Sequence, residues 1–115
     1  MPYQWSMSDT DDPSCPVART AVIIGSRWTA LILRDLLLRK ACRYQELLDS
    51  LKGIAPNTLS DRLKMLEAHG VIERRYYEEH PPRAEYVLTE KGRELGPIVR
   101  AMRDWGRKHQ QQVAK

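Results

Sequence analysis

Between Pro56 and Gly70 the sequence PNTLSDRLKMLEAHG sets Leu59, Leu63 and Leu66 at the spacing of one buried helical face. With the leucines turned inward, Asn57, Asp61, Lys64 and Ala68 point the opposite way, flanked by Thr58 and Ser60. An amide at 57 suits bidentate bonding to adenine, hydroxyls at 58 and 60 suit phosphate or base, Lys64 supplies charge, and Asp61 suits the cytosine amino group. Arg62, at the edge of the leucine face, suits a phosphate or an internal pair with Asp61 or Glu67. Further on, Glu79-His80-Pro81-Pro82-Arg83 is a loop stiffened by two prolines. Such a loop, with His80 at its tip and Arg83 beside it, can dock into a minor groove or onto phosphates with little loss of entropy. Arg75 joins them by strand parity, because Ile72 and Tyr76 assign Arg74 to the packed side. The bland counterpart of this whole set is a solvated, charged surface.

One further side chain is placed for chemistry. Cys15 precedes Pro16, so it sits at or beside a helix N-cap, one turn from Arg19. That position favours a thiolate open to oxidants or small electrophiles, and Asp11 and Asp12 act against it. The alternative is a cysteine that only packs. Cys42, beside Arg43, reads as a small buried filler. Two cysteines are too few for a disulfide scaffold, and His69, His80 and His109 have no metal-ligand spacing. No nucleophile–base pair or phosphate loop is present, so neither enzymatic activity nor a cofactor is expected.

These side chains need a scaffold of 115 residues, the size of one domain. The formal charge of +4 conceals an asymmetry: residues 1–14 carry Asp9, Asp11 and Asp12 and no base, while residues 15–115 hold 19 basic and 12 acidic groups, a net +7. A cationic domain behind an acidic tail over residues 1–13, expected to be flexible, fits a polyanion partner. Arg34 and Asp35 interrupt the longest apolar run, which excludes a membrane span there. With no secretory signal legible either, a cytoplasmic protein is expected.

The domain, residues 14–115, reads as seven elements. A short helix runs from Pro16 toward Gly25-Ser26. RWTALILRDLLLR (27–39) is apolar around most of its circumference and forms the central helix. RYQELLDSLKG carries Tyr44, Leu47, Leu48 and Leu51 on one face up to Gly53, and the helix opened by Pro56 follows after a tight turn. Two such helices joined by a glycine-containing turn match helix-turn-helix spacing. VIERRYYE and EYVLT then alternate as two strands, expected to pack through Ile72, Tyr76, Tyr86 and Leu88. From Thr89 a last helix, kinked at Pro97, carries Leu95, Ile98, Val99, Met102 and Trp105 in one stripe. The expectation is a mainly α fold with a small antiparallel β-hairpin, a winged helix-turn-helix. The stripe is more apolar than a lone peripheral helix needs. It suits either a two-fold partner or packing on the first helix.

The motifs carry a resemblance over residues 15 to about 106. They are Cys15-Pro16, Gly25-Ser26-Arg27-Trp28-Thr29, Leu31-Ile32-Leu33, Arg43-Tyr44-Gln45-Glu46-Leu47, Gly53-Ile54, and Leu59 to Leu66 with Gly70-Val71-Ile72. Pro81-Pro82-Arg83-Ala84-Glu85-Tyr86, Leu88-Thr89-Glu90-Lys91-Gly92 and Trp105-Gly106 complete the set. The chain resembles the HxlR-type winged-helix transcriptional regulators of the MarR-like superfamily. That resemblance implies a dimeric, sequence-specific regulator of double-stranded DNA, with dimer contacts from the first and last helices. Val17, Leu95, Ile98, Val99, Met102 and Trp105 would then form the homodimer interface. It also implies that Cys15 occupies a position where several members sense oxidants or electrophiles. The chain departs from the pattern at Ala55, where a serine cap is usual, at Ser26 and Arg27, and at Tyr44 in place of phenylalanine. Losing the cap at 55 costs about 1 kcal/mol, partly offset by Pro56. The same fold used as a protein-interaction module, its basic face incidental, is the competing function.

Overall fold

The computed structural model describes residues 14–79 and 82–110. The expected tail over residues 1–13 and the loop-tip His80 lie outside the described residues. In chain order the elements are α1 (Pro16–Ile24), α2 (Arg27–Arg39), β1 (Ala41–Cys42), α3 (Tyr44–Ser50) and α4 (Pro56–Ala68). After these come β2 (Ile72–Glu79), β3 (Pro82–Leu88), α5 (Glu90–Arg93) and α6 (Gly96–Lys108). The mainly α fold with its wing is as expected, with one strand more: β1 joins β3, so the sheet is three-stranded and antiparallel in the order β1-β3-β2.

The core forms where helical and strand periodicities meet. Ile32, Leu33 and Leu36 of α2, Leu47 of α3 and Leu59, Leu63 and Leu66 of α4 close over Ile72, Tyr86 and Leu88 of the sheet. Each buried leucine stabilises the fold by roughly 1.5–3 kcal/mol relative to exposure. The α3–α4 connection turns at Gly53, whose φ of +92° favours a residue without a Cβ. Lys40 adopts φ +72° between α2 and β1, a conformation disfavoured for a side-chain-bearing residue. The pairings Ala41↔Val87 and Cys42↔Tyr86 hold it there.

Two expectations are corrected. Pro97 does not kink a continuous helix. The chain after Thr89 makes the single turn α5, breaks at Glu94–Leu95, and restarts with Pro97 in the first turn of α6, where its missing N–H leaves no bond unmade. Tyr76 does not pack with Ile72, Tyr86 and Leu88. It is 60% exposed, at the last regular pairing before the register shift between Tyr76 and Glu78. Arg74, assigned to the packed side by the same parity, is exposed as Arg75 is, and pairs with Glu67 of α4 at 3.7 Å.

The end of α4 is fastened to the start of α5. Thr89 Oγ1 donates toward the carbonyls of Gly70 (2.5 Å) and Val71 (3.1 Å), and its backbone N–H bonds Val71 as well. Lys91 Nζ donates to the His69 carbonyl at 2.7 Å. Gly92 lies so close to the Val71 carbonyl that a Cβ there would collide with it.

Candidate nucleic-acid interface

The burial of Leu59, Leu63 and Leu66 fixes the rotation of α4. Asn57, Asp61, Lys64 and Ala68 are exposed as expected, and Thr58, Ser60 and Arg62 are partly buried beside them. No side chain caps α4: Ala55 stands at the N-cap and Pro56 in the first turn. Its first N–H groups therefore remain available to a phosphate. Lys64 has no carboxylate within 4 Å among the described residues, which leaves its full charge for a polyanion.

Two polar ties hold this helix. The Tyr44 hydroxyl lies 3.1 Å from the Pro56 carbonyl, to which it donates, and 3.4 Å from Ser60 Oγ. Arg62 Nε donates to Ser26 Oγ at 3.3 Å, and Ser26 also caps α2 by accepting the Thr29 N–H. Arg62 therefore braces α4 against the start of α2 and does not pair with Asp61 or Glu67. Glu67 is engaged by Arg74. These ties span 12 and 36 residues of sequence and leave no local pattern by which to find them.

The wing's cations are paired. Arg75 contacts Glu73 at 3.2 Å and Arg83 contacts Glu78 at 2.9 Å, all four side chains largely exposed. Arg43, at the start of α3, was not among the expected residues. The Tyr77 hydroxyl and Glu46 hold its guanidinium more firmly protonated than usual. Glu46 in turn accepts the Arg43 backbone N–H at 2.8 Å, which holds its carboxyl below its ordinary value. An exposed arginine at a helix start next to the wing extends the cationic edge beyond α4.

Away from this edge, α1 and α6 expose apolar side chains. Val17 and Val22 of α1 and Ile98, Met102 and Trp105 of α6 lie open, Trp105 at 68%. The expected stripe divides: Leu95 and Val99 pack partly against the core, and Ile98, Met102 and Trp105 face outward. Cys15 is the N-cap of α1, 5% exposed, and its Sγ accepts the Ala18 N–H at 3.4 Å. Cys42 is fully buried with its thiol 4.0 Å from the Asp35 carbonyl, and burial pushes that thiol's pKa up.

A helix pair joined by a tight turn, its second helix exposed along a polar face and flanked by a β-wing, defines a winged helix-turn-helix of the DNA-binding kind. The HxlR-like helix-turn-helix profile matches residues 23–114, and the chain belongs to that family of DNA-binding transcriptional regulators. It is 39% identical to the HTH-type transcriptional regulator YdeP of Bacillus subtilis over 108 residues, 94% of this chain and 84% of that one. It is 42% identical to the regulator sll1512 of Synechocystis over 92 residues, 80% and 67% of the two chains. Among solved structures, the oxidised form of the redox regulator HypR superposes with a TM-score of 0.76 at 36% identity, covering 82% of this chain and 96% of that one. Diamide-treated YodB from B. subtilis gives 0.67 at 33% identity, covering 82% and 93%. No helix among the described residues is long and apolar enough to cross a membrane.

Proposed function

We propose that the protein is a cytoplasmic homodimeric regulator that binds a pseudo-palindromic operator, reading bases with α4 and gripping phosphates with the wing. The observation that carries this reading is the exposed row Asn57, Asp61 and Lys64 beside an uncapped helix start. In the bound state Asn57, Thr58, Ser60 and Asp61 approach base edges, and Lys64, Arg75, His80 and Arg83 approach the backbone. Arg62 acts from behind as a brace. The open apolar side chains of α1 and α6 support a two-fold interface, which would set two copies of α4 one helical turn of DNA, or a multiple, apart. The experiment is selection of genomic fragments by the purified protein, followed by titration at moderate salt. Specific binding that Asn57→Ala relaxes at single base positions supports the reading. Binding no tighter than to random duplex would favour the protein-interaction module instead.

The second element of the proposal is oxidant or electrophile sensing at Cys15. The likeness to a redox regulator and to a diamide-treated one supports it, as does the position of Sγ. A sulfur that caps α1 and is nearly buried cannot accept an adduct without moving that helix. None of the residues of α1 is itself fully buried, so local opening of this turn is cheap. Diamide or a quinone is expected to change operator affinity, and Cys15→Ser to abolish the change. Unaltered binding by wild type after verified modification of Cys15 would overturn it.

A further inference from the structure

Between α2 and α6 lies a cavity of about 620 Å³ with an aliphatic floor of Leu31, Leu37, Leu38, Val99 and Met102. Its rim carries four guanidinium groups, from Arg34 of α2 and from Arg100, Arg103 and Arg107 of α6. Arg34 is held by Asp35 at 2.9 Å and Arg103 by Asp104 at 2.9 Å. Arg100 and Arg107 have no carboxylate within 4 Å among the described residues. Arg100 folds back over Gly96, its Nη1 3.2 Å from where a Cβ on that glycine would stand, with Leu37 Cδ2 3.5 Å from the same point. A charged head is thus laid against the apolar wall. Leu38, which also lines the groove, is 74% exposed and so open to a ligand.

The geometry points to this groove as a binding site for a small amphipathic anion, an aliphatic chain ending in a carboxylate or phosphate. The cavity is of the size that takes small organic ligands, and its lining has their usual pattern of apolar walls with a few placed polar groups. An apolar floor selects the chain. Arg100 and Arg107, without a carboxylate partner among the described residues, select the anionic head. Ile98 and Trp105 do not line the groove, whereas Val99 and Met102, assigned above with them to a second copy, do, so a ligand and a partner would share that edge of α6. Occupancy would be felt at α4, because the wall helix α2 begins at Ser26, the acceptor of Arg62. That consequence rests on the reading of α4 as the DNA-contacting helix. The binding itself does not.

The test is calorimetric titration of the full chain with decanoate and decyl phosphate below their micellar concentrations, with decyltrimethylammonium as the cationic counterpart. Binding of either anion, weakened at least tenfold in Arg100→Gln/Arg107→Gln and unchanged in Arg19→Gln, is the expected result. Arg19 lines a different cavity, against α5. Leu38→Ser, an exposed change that spares the core, is expected to weaken binding severalfold even if the double variant fails to fold. No binding, equal binding of the cation, equal loss in Arg19→Gln, or binding only after dilution to monomer would overturn the proposal. The last result would assign the groove to a second copy. Anion binding that leaves a demonstrable operator complex unchanged refutes the coupling to α4. Anion binding without any operator complex refutes the DNA reading and leaves the groove assignment standing.

Discussion

Lys64 provides the sharpest test of how the charges are used. Of the three cations that flank the proposed DNA surface, it alone has no carboxylate within 4 Å among the described residues, while Arg75 and Arg83 sit 3.2 and 2.9 Å from Glu73 and Glu78. A two-fold complex brings six such cations to the duplex. If each neutralised one phosphate, log K would fall against log salt with a slope of about −5.4. Replacing Lys64 by Gln removes two of the six, and the slope should become shallower by about 1.8. Between 50 and 200 mM salt the wild type would then lose about 1,800-fold in affinity, and the variant about 150-fold. Arg83→Gln should shift the slope less, because a phosphate that takes Arg83 leaves Glu78 behind as a new negative charge at the interface. The assay is fluorescence anisotropy of a labelled operator duplex over a potassium chloride series. An unchanged slope in Lys64→Gln, or a larger change in Arg83→Gln, would refute the assignment of the unpaired lysine to the phosphate backbone.

Trp105→Ala removes an open indole whose burial against a partner is worth about 1.5–3 kcal/mol, so sedimentation should show the dimer dissociating at concentrations at least tenfold higher than wild type. Tyr44→Phe deletes the hydroxyl's hydrogen bonds to Pro56 and Ser60, the shorter of them worth about 0.5–1.5 kcal/mol. Thermal melting should fall by a few degrees with the far-UV circular dichroism unchanged, and operator affinity should fall because Pro56 and Ser60 lose their tether. Burial raises the Cys42 thiol above its ordinary 9.0 and the Tyr86 phenol above 10.0. Both groups ionise more readily in the unfolded chain, so the fold is fully supported below pH 9 and loses stability as pH rises toward the folded-state values. Melting temperatures taken from pH 7 to 11 should decline on the alkaline side, and Cys42→Ala should flatten the first part of that decline even though its cavity lowers the whole curve.

Much of this architecture is legible in the sequence where a single periodicity governs an element. The leucines at 59, 63 and 66 rotate α4 correctly, and the exposed row on its far side follows from them alone. The misreadings fall where a second force intervenes. Ala41–Cys42 is too short to show a period, and it is a strand only because Tyr86 and Val87 offer partners. Tyr76 has the parity of the core, yet it stands exposed where the hairpin nears its register shift. Pro97 announces a disruption, and a proline fits the first turn of a new helix as readily as a kink within one. At the candidate interface, side-chain types and the facing of α4 are legible. The Tyr44 and Arg62 tethers arise from folding brought about elsewhere in the chain, whereas the glutamates that pair with the wing's arginines lie within the hairpin itself.

The lock between residues 69–71 and 89–92 has a metrical consequence. Because the tail of α4 is bonded to the segment that leads into α6, the helix proposed to read DNA and the arm that would meet a twin are mechanically linked. The spacing between two reading heads is then calibrated by the angle at which two arms cross. A few degrees of rotation at that crossing, levered through the lock, would carry one head out of phase with the duplex while leaving every DNA-facing side chain intact.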